Sequence, residues 1–396
     1  MGAFTNPVVE KLGRRLRLGV VGGGATSFIG GVHRTAACLD NRFEVSASVM
    51  ASTPERAREQ GVQAGIAKDR AYGTLEEMLD SESKRDDAID AVAIMTPNFR
   101  HYPECKAILA KGLHIICDKP MTTSVADAID LVESVKDAGV VFCFTHNYSG
   151  YPMVCHARAM VAAGEIGEIR QVNVEYSQGQ LSSYVEPNAP ERLKWRLDAK
   201  RGGPSAVLGD IGTHASQKLT YITGMPLAKL TADVGATVPE RQNDDYAGML
   251  LRMENGACGT LWCTQATSGS ENILRVKVFG SLGGLEWEQN FPNHLKHMVQ
   301  GEPARILSRG LPGLSGAAQR VSRILTGHPE GFQEGFANLY NDAAEAIVAK
   351  ITGTDVDPLA LDFPTVEDGA RGMRFLEAAL ESSNDDGGWV DCTLEF

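Results

Sequence analysis

Apolar and polar positions divide the chain into two halves with different patterns. In the first half, short apolar runs alternate with helical segments; the runs are 16–21, 43–50, 89–95, 114–117 and 140–144. Apolar strands separated by helices indicate βαβ units, because parallel strands need crossover connections. The pattern therefore predicts an α/β domain with a doubly wound parallel sheet.

From Ile169 onward, apolar and polar residues alternate one by one. Val172, Val174 and Tyr176 are separated by polar residues, as in a strand with one buried face. Further strand-like runs follow almost back to back, at 228–238, 245–254, 257–266, 273–279 and 284–289. Strands joined without intervening helices favour a large open, mostly antiparallel sheet in a second α/β domain.

A sheet of this size needs cover on both faces. Helices predicted near 153–163, 211–223 and 332–350 can cover one face. The other face, to which we assign Trp262 and Trp287, is expected to cover a second subunit. The sequence thus predicts a homodimer or homotetramer formed through the C-terminal sheet.

Length and composition indicate two domains and exclude several classes of partner. We divide the 396 residues into 1–147 and 148–396, with a last helix, about 365–382, that packs back on the first domain. The net charge of -12 and the pI of 5.3 argue against nucleic acid. No apolar run reaches the ~20 residues that cross a membrane. The 8 cysteines include no Cys-x-x-Cys pair, which is typical of a reducing, cytoplasmic compartment.

The first strand opens directly into a glycine-rich turn, from Gly22 to Gly31. Glycines here let the backbone turn tightly and let a pyrophosphate approach the amides of the next helix. Ser27 stands where the G-x-G-x-x-G pattern has its third glycine. Either the helix begins late, at Gly30, or the Ser27 hydroxyl donates to a phosphate. The turn predicts dinucleotide binding, with the candidates Gly22, Gly24, Thr26, Ser27, Phe28 and Ile29.

Two further strand ends carry polar residues that can contact a dinucleotide. After the second strand, Ser52 and Arg56 flank the place where an acidic residue would bind an NAD ribose, but the chain has Ala51 there. This combination accommodates either NAD or NADP. The run at 89–95 is followed by Thr96-Pro97-Asn98, with His101 at the start of the next helix. These side chains are candidates to contact the same cofactor.

The apolar strand that begins at His114 ends abruptly on Asp118-Lys119-Pro120. In an open α/β sheet, a lysine at the carboxyl end of a strand points into the crevice where ligands bind. We expect Asp118 to anchor the backbone, because neighbouring side chains of an extended chain point to opposite sides. We also predict a cis peptide bond before Pro120, since such bonds cluster in tight turns. Lys119 is therefore the candidate for chemistry in the first half.

The segment from Gly209 to His214 is the strongest local signal of the second half. Asp210 is predicted at a helix start, where capping and the helix dipole favour a carboxylate. His214 follows one turn later on the same helix face, and a carboxylate beside an imidazole suits general acid–base catalysis. The alternative is that Asp210 only caps the helix and that His214 lies at the surface. No further ligands accompany the pair, so we expect no metal site.

Taken together in this order, these motifs resemble the Gfo/Idh/MocA oxidoreductases, a family that includes glucose–fructose oxidoreductase and myo-inositol dehydrogenase. The resemblance spans residues 16 to about 380, although the family more often has Glu at the position of Asp118. It implies an N-terminal Rossmann domain and a C-terminal α/β domain. It also implies that the protein interconverts a secondary alcohol and a ketone on a sugar, glycoside or inositol by hydride transfer. The segments Thr145–Tyr148 and Gly327–Gly331 further resemble the glycoside 3-oxidoreductase branch.

The resemblance implies roles for single residues. Lys119 matches the family's catalytic lysine, Asp210 its carboxylate and His214 its catalytic histidine. His214 would take the hydroxyl proton while Lys119 stabilises the alkoxide. NAD(H) is the favoured cofactor, and NADP(H) can be accommodated. The remaining candidates for the cofactor are Ser52, Arg56, Thr96, Pro97, Asn98, His101, Asp118, Lys119, Asn147, Trp195 and Arg196, and those for the substrate are Lys119, Tyr148, Tyr151, Asp210, His214 and His328.

Two other functions stay open at this point. An enzyme of this family can retain NAD tightly and oxidise and re-reduce within one cycle, as in sugar-to-sugar hydride transfer or glycoside cleavage. A non-enzymatic, dinucleotide-sensing regulator can use the same scaffold. Such a regulator has no need of Lys119, Asp210 and His214 together, so their joint presence favours an enzyme.

Overall fold

The computed structural model of the protein describes residues 6–25, 27–189, 194 and 199–396. These residues form two compact units. The first unit contains the described residues up to Asn147 together with 333–370 and Phe396, and the second contains 148–332 and 371–395. The division made from the sequence also falls after residue 147, but it placed 333–370 in the second domain. The last helix crosses the boundary between the units, at residue 370.

The first unit is built on a five-stranded sheet with the order β2-β1-β3-β4-β5. Its strands are β1 Leu16–Gly22, β2 Phe43–Val49, β3 Ala91–Met95, β4 His114–Cys117 and β5 Phe142–Phe144. The helices around them are α1 Pro7–Leu12, α2 Phe28–Leu39, α3 Pro54–Gln63, α4 Leu75–Glu82, α5 His101–Leu109 and α6 Val125–Ala138. All neighbouring strands pair in parallel. The predicted doubly wound parallel sheet is therefore confirmed.

The strand order places the candidate cofactor loops at one edge of this sheet. The chain moves from β1 to β2 on one side and then to β3 on the other, so the order reverses at β1. Ligands of open α/β sheets bind at such a switch point, outside the carboxyl ends of the strands. Gly22, the last residue of β1, pairs with Met95, the last residue of β3. The glycine-rich turn and the Thr96 loop therefore leave the sheet side by side.

The second unit is built on a nine-stranded sheet with the order β13-β12-β11-β10-β6-β9-β8-β7-β14. Its strands are β6 Ile169–Gln178, β7 Leu227–Gly235, β8 Tyr246–Met253, β9 Cys258–Thr264, β10 Asn272–Gly280, β11 Gly283–Glu288, β12 His294–Val299, β13 Arg305–Ser308 and β14 Val390–Asp391. The remaining helices are α7 Pro152–Ala162, α8 Ala199–Gly202, α9 Thr213–Thr223, α10 Gly316–Arg320, α11 Phe332–Thr352 and α12 Val366–Asn384. The strands pair antiparallel, except for the parallel pair β6–β9. The predicted large, mostly antiparallel sheet is confirmed.

The two faces of this sheet differ in burial. Its inner face contributes Val174 and Val276, which contact the core beneath α7 and α9. Trp287 pairs with Val276 in the register of β10 and β11, and it is 1 % exposed. Assigning Trp287 to the outer face was therefore wrong, because the period of the strand points it into the core. The outer face carries Leu250, which is 50 % exposed, and the half-buried Trp262.

None of the helices in the described part of the chain combines the length and the apolar character that a membrane span needs.

Candidate active site

A tight glycine turn joins β1 to α2 at the switch point of the first unit. Gly22 and Gly23 have φ angles of 82° and 65°, in the left-handed region that favours glycine. A Cβ on Gly22 would lie 2.7 Å from the Met95 carbonyl oxygen, and one on Gly24 would lie 2.3 Å from the Met50 carbonyl oxygen. The turn passes so close to the neighbouring strand ends that these positions require glycine.

Helix α2 begins immediately after this turn. Its N-cap is Ser27, whose Oγ accepts a hydrogen bond from the Gly30 amide at 3.1 Å. Because the helix starts at Phe28, the explanation that it begins late, at Gly30, is wrong. Gly30 has a packing role instead, since a Cβ there would lie 2.2 Å from the Gly23 carbonyl oxygen. Donation from the Ser27 hydroxyl to a phosphate stays a prediction.

The other candidates near the dinucleotide loops differ in exposure. In the first turn of α2, Phe28 is exposed and Ile29 is half-buried. Ser52 and Arg56 are both exposed, just before and within the first turn of α3. Thr26 lies outside the described residues. The exposed side chains of Phe28, Ser52 and Arg56 are accessible to a ligand at the carboxyl edge of the sheet.

A buried histidine connects the loop after β3 to the turn after β4. His101 is 1 % exposed, and its Nδ1 and Nε2 atoms each lie 2.8 Å from a carbonyl oxygen, that of Pro120 and that of Thr96. Thr96 Oγ1 donates a hydrogen bond of 2.6 Å to Glu104, and Asn98 is buried. His101 therefore bridges the two backbone segments, and direct contact with a cofactor stays a prediction.

The turn after β4 holds Lys119 through its acidic neighbour. The Asp118 Oδ1 atom accepts hydrogen bonds from the Lys119 amide at 2.9 Å and from Thr145 Oγ1 at 3.1 Å. Asp118 thus anchors the backbone, as expected from the sequence. The Lys119–Pro120 peptide bond is cis, which confirms the prediction for this bond.

Sequence reasoning missed His33 as a partner of this turn. His33 is fully buried; its Nδ1 lies 2.7 Å from the Tyr340 hydroxyl and its Nε2 lies 3.9 Å from Asp118 Oδ1. Burial opposes the charge of Asp118, but His33 and the charges of Lys119 and His101 outweigh it and lower the pKa of the carboxyl to about 2. Asp118 is therefore ionised at neutral pH. A histidine on a helix gives no sequence signal for a partner so far along the chain.

Asp210 lies in a π-helical turn, Leu208–Gly212, that continues directly into α9. Helical residues precede this turn, so the prediction that Asp210 caps a helix start is wrong. Single π turns inside helices are frequent at functional sites. The Gln265 side-chain amide donates a hydrogen bond of 2.8 Å to Asp210 Oδ2. This bond orients the carboxylate, and Gln265 is a second residue that the sequence reading missed.

His214 lies in the first turn of α9 and is 7 % exposed. The alternative that it is a surface residue is therefore wrong. Its ring makes an edge contact with Tyr148, with the centroids 5.1 Å apart, and a tilted contact of 6.4 Å with Tyr176. The two phenol oxygens lie 2.7 Å apart. Burial raises the pKa of both phenols, so both remain neutral hydrogen-bonding groups beside His214.

The remaining substrate candidates lie in different environments. Tyr151 is buried and stacks on Tyr148, with the ring centroids 5.9 Å apart. His328 is exposed, and its Nδ1 lies 3.3 Å from the Leu325 carbonyl oxygen. Tyr151 therefore packs on the Tyr148 ring that contacts His214, whereas His328 lies in an exposed loop. The candidates Trp195 and Arg196 lie outside the described residues.

The first unit fits a dinucleotide on two observations. The glycines of the β1–α2 turn leave space that a side chain would fill, and they precede a helix N-terminus that favours phosphate. At the carboxyl end of β5, Asn147 is buried, and its Nδ2 has no hydrogen-bond partner among the described residues. A ligand at this edge can satisfy that donor. No group of three or more His, Cys, Asp or Glu side chains in the described ranges is arranged to hold a metal ion.

Two family models match the chain in sequence. Residues 16–146 match an oxidoreductase family with an NAD-binding Rossmann fold. Residues 154–286 match the GFO/IDH/MocA C-terminal domain. The first matched range contains the candidate cofactor turns and Lys119. The second contains Asp210, His214 and Gln265.

Individual relatives extend this similarity over the whole chain. The uncharacterized oxidoreductase YfiI of Bacillus subtilis is 35% identical over 96% of this chain and 98% of its own. The levoglucosan dehydrogenase of Pseudarthrobacter phenanthrenivorans is 27% identical over 69% of this chain and 73% of its own.

Among solved structures, an inositol dehydrogenase homologue from Azotobacter vinelandii with NAD+ is 36% identical, with a TM-score of 0.90 over 96% of this chain and 97% of its own. A structure described for that homologue with NADH and myo-inositol is 35% identical, with a TM-score of 0.88 over 96% of this chain and 98% of its own.

Proposed function

Since the chain belongs to the Gfo/Idh/MocA family of oxidoreductases, we propose that it interconverts a secondary alcohol and a ketone on a sugar, glycoside or inositol. The observation that carries the proposal is within the first unit. A glycine turn fit for a dinucleotide leaves the sheet beside β3, and Lys119 follows the adjacent strand β4. A cationic donor at the same sheet edge as a dinucleotide is what an alcohol dehydrogenation needs.

In the proposed reaction, a bound nicotinamide supplies the hydride acceptor or donor. The imidazole of His214 takes the proton of the substrate hydroxyl, and the Asp210 carboxylate stabilises the resulting positive charge. The ammonium of Lys119 donates a hydrogen bond to the substrate oxygen as negative charge develops on it. In the opposite direction, His214 returns its proton to the carbonyl oxygen.

We propose NAD(H) as the favoured cofactor and NADP(H) as the alternative. Two observations bear on the choice: the chain has Ala51 in place of a ribose-binding acid, and the nearby Arg56 is exposed. An acid would repel a 2′-phosphate, whereas an arginine can pair with one. The relative from Azotobacter vinelandii is described with NAD+ and with NADH, which favours NAD(H) for this chain as well.

The proposal includes a homodimer or homotetramer formed through the outer face of the nine-stranded sheet. Leu250 is 50 % exposed on that face, beside the half-buried Trp262, and apolar surface of this kind is typical of subunit interfaces. We also propose a cytoplasmic location, which agrees with 8 cysteines that are all free thiols. Light scattering at several protein concentrations tests the assembly, with Leu250→Glu as the variant expected to dissociate it.

The direct test of the activity is a substrate screen. Inositols, free sugars and glycosides are offered with NAD and, in parallel, with NADP, and absorbance of the reduced nicotinamide is followed. Reduction of NAD or NADP by at least one of these compounds supports the proposal. Substrate turnover without net release of reduced cofactor would indicate instead the retained-cofactor cycle, and cofactor binding without turnover of any of these compounds would indicate a dinucleotide sensor.

A further inference from the structure

The inner face of the second sheet changes from apolar to amide at one end. Four adjacent strands, β11, β10, β6 and β9, each carry apolar or aromatic residues along this face. At or just beyond the same end, the next inward position of each strand is a neutral amide. These amides, in strand order, are Gln289, Asn272, Gln178 and Gln265, and we call them the amide row.

The amide row is continuous with the candidate acid–base pair. Gln178 Nε2 donates to Asn272 Oδ1 at 2.8 Å, and Gln265 Nε2 donates to Gln178 Oε1 at 3.0 Å. The same Gln265 nitrogen donates to Asp210 Oδ2 at 2.8 Å. The bonds therefore lead from the middle of the sheet to the Asp210 carboxylate, four residues before His214.

The other end of the row carries an acceptor that the described residues leave unused. Gln289 Oε1 is buried and has no hydrogen-bond partner among them. Next to it, the paired phenols of Tyr148 and Tyr176 interact with Asn272 and, for Tyr148, with Gln289. A buried amide oxygen without a partner costs about 1–3 kcal/mol, so a ligand that donates to it is favoured.

The chemistry of the row matches hydroxyl groups rather than charged groups. A side-chain amide offers two donors and an acceptor oxygen, and a hydroxyl offers one donor and two lone pairs. The row itself contains no cationic side chain, and binding of a phosphate or carboxylate normally uses arginine or lysine. A core face that served only packing would have continued its apolar series, since amides are costly to bury.

We infer that the amide row binds the hydroxyls of the substrate ring that do not react, and that it selects an uncharged polyol over a phosphorylated one. The inference rests on the proposed function and deepens it. Gln265 is in addition a positioning residue for Asp210. We assign the specificity of the site to Asn272 and Gln289, because Gln265, the member of the row that donates to Asp210, also has the positioning role.

The test compares Asn272→Ala and Gln289→Ala with the wild-type protein loaded with NAD. The matched control is Asn173→Ala, which removes an amide from the outer face of β6, where Asn173 Nδ2 donates to Thr260; because that face is the proposed subunit interface, light scattering verifies that this variant assembles as the wild type does. The probes are myo-inositol, its mono-deoxy analogues and a myo-inositol monophosphate. Initial rates give kcat and KM, calorimetry with NADH gives the affinity, and thermal unfolding verifies that each variant is folded.

The wild-type protein is expected to discriminate against the monophosphate by about tenfold or more, since the amide row has no cation to repay the desolvation of a phosphate bound there. Each row variant should weaken the affinity for myo-inositol by about three- to tenfold, as for a lost neutral hydrogen bond, mainly through KM. The same variant should leave unchanged the affinity for the one deoxy analogue that lacks its hydroxyl. Asn173→Ala should behave as the wild type.

Equal losses on every analogue, or no loss in a folded variant, would overturn the inference while leaving the proposed function intact. A monophosphate bound as well as myo-inositol would also overturn it. If the wild-type protein turns over no polyol with either nicotinamide, the proposed function fails. Binding of myo-inositol that Asn272→Ala weakens and Asn173→Ala does not would then still support the amide row, and absence of any polyol binding would refute it.

Discussion

Nε2 of the buried His33 imidazole lies 3.9 Å from Oδ1 of Asp118, the carboxylate that holds the Lys119 amide. His33 belongs to the helix that follows the glycine turn, and Asp118 follows β4. One contact therefore links the proposed phosphate-binding helix to the turn that carries the proposed catalytic lysine.

Replacing Asp118 with Asn should make stability less dependent on acid pH. The pKa of Asp118 is about 2 in the folded protein, below its ordinary value of roughly 3.9. Its ionised form then adds about 2 kcal/mol to the free energy of unfolding above the ordinary pKa, and this is lost as pH falls through the folded pKa. Urea unfolding from pH 7 to pH 3 should show Asp118→Asn destabilised by about that amount, with the difference shrinking below about pH 4.

The exposed Asp86 provides the control for this series. Asp86→Asn should leave the free energy of unfolding within about 0.5 kcal/mol of the wild type at every pH, as is usual for surface substitutions. A difference between Asp118→Asn and the wild type that stays constant from pH 7 to pH 3 would contradict the ionised buried carboxylate.

Gly23→Ala should weaken dinucleotide binding. Gly23 has a φ of 65°, and a Cβ there would lie 2.8 Å from Gly30 Cα, so the turn and the helix N-terminus must move apart. Gly112→Ala is the matched control, because Gly112 has a φ of 67° with nothing near its Cβ position. Both variants carry the same backbone strain of roughly 1 kcal/mol. Fluorescence titration with the nucleotide should show its Kd raised about tenfold or more for Gly23→Ala only. Equal affinities of the two variants for the nucleotide would contradict dinucleotide binding at the glycine turn.

Gln265→Met should slow catalysis without unfolding the protein. The substitution keeps the volume but removes the amide that donates to Asp210 at 2.8 Å. A hydrogen bond to a charged group is worth about 1.5–3 kcal/mol, so we expect kcat to fall about tenfold or more, with a smaller change in KM. Gln319→Met removes a bond to the Leu314 carbonyl oxygen in the same unit and should leave kcat unchanged. A raised KM with an unchanged kcat would indicate instead that Gln265 contributes to substrate binding.

Lys119→Ala and His214→Ala should each lower kcat by about a hundredfold or more, the scale expected when an acid–base group is lost. Cofactor affinity should change little, since neither role requires contact with the dinucleotide phosphates. The controls are Lys136→Ala and His294→Ala, which remove exposed side chains of the same two types and should leave kcat unchanged. Near-normal kcat in Lys119→Ala or His214→Ala would remove that residue from the mechanism.

The sequence predicts those features of the fold and the site that have local signals. The glycine turn and the abrupt end of β4 on Asp118-Lys119-Pro120 can be predicted, because tight turns and strand ends require particular residue types. The π turn around Asp210 cannot be predicted, since its hydrogen-bond register depends on packing rather than on residue type. The contact between His33 and Asp118 cannot be predicted either, because only the fold brings these two residues together. The amide row was present in the alternating pattern, but its amides become a row only when the strand order is known.

Transfer of an isotope from substrate to nicotinamide distinguishes hydride transfer from cofactor binding alone. Myo-inositol, or whichever polyol the screen identifies, is labelled with deuterium at its carbinol carbons and incubated with NAD and the protein, and the nicotinamide is examined by mass spectrometry. We predict that deuterium appears in the reduced nicotinamide with the wild type, and that the label is about a hundredfold slower to appear with His214→Ala. Reduced nicotinamide without deuterium, or no labelled nicotinamide from any polyol, sugar or glycoside, would contradict it.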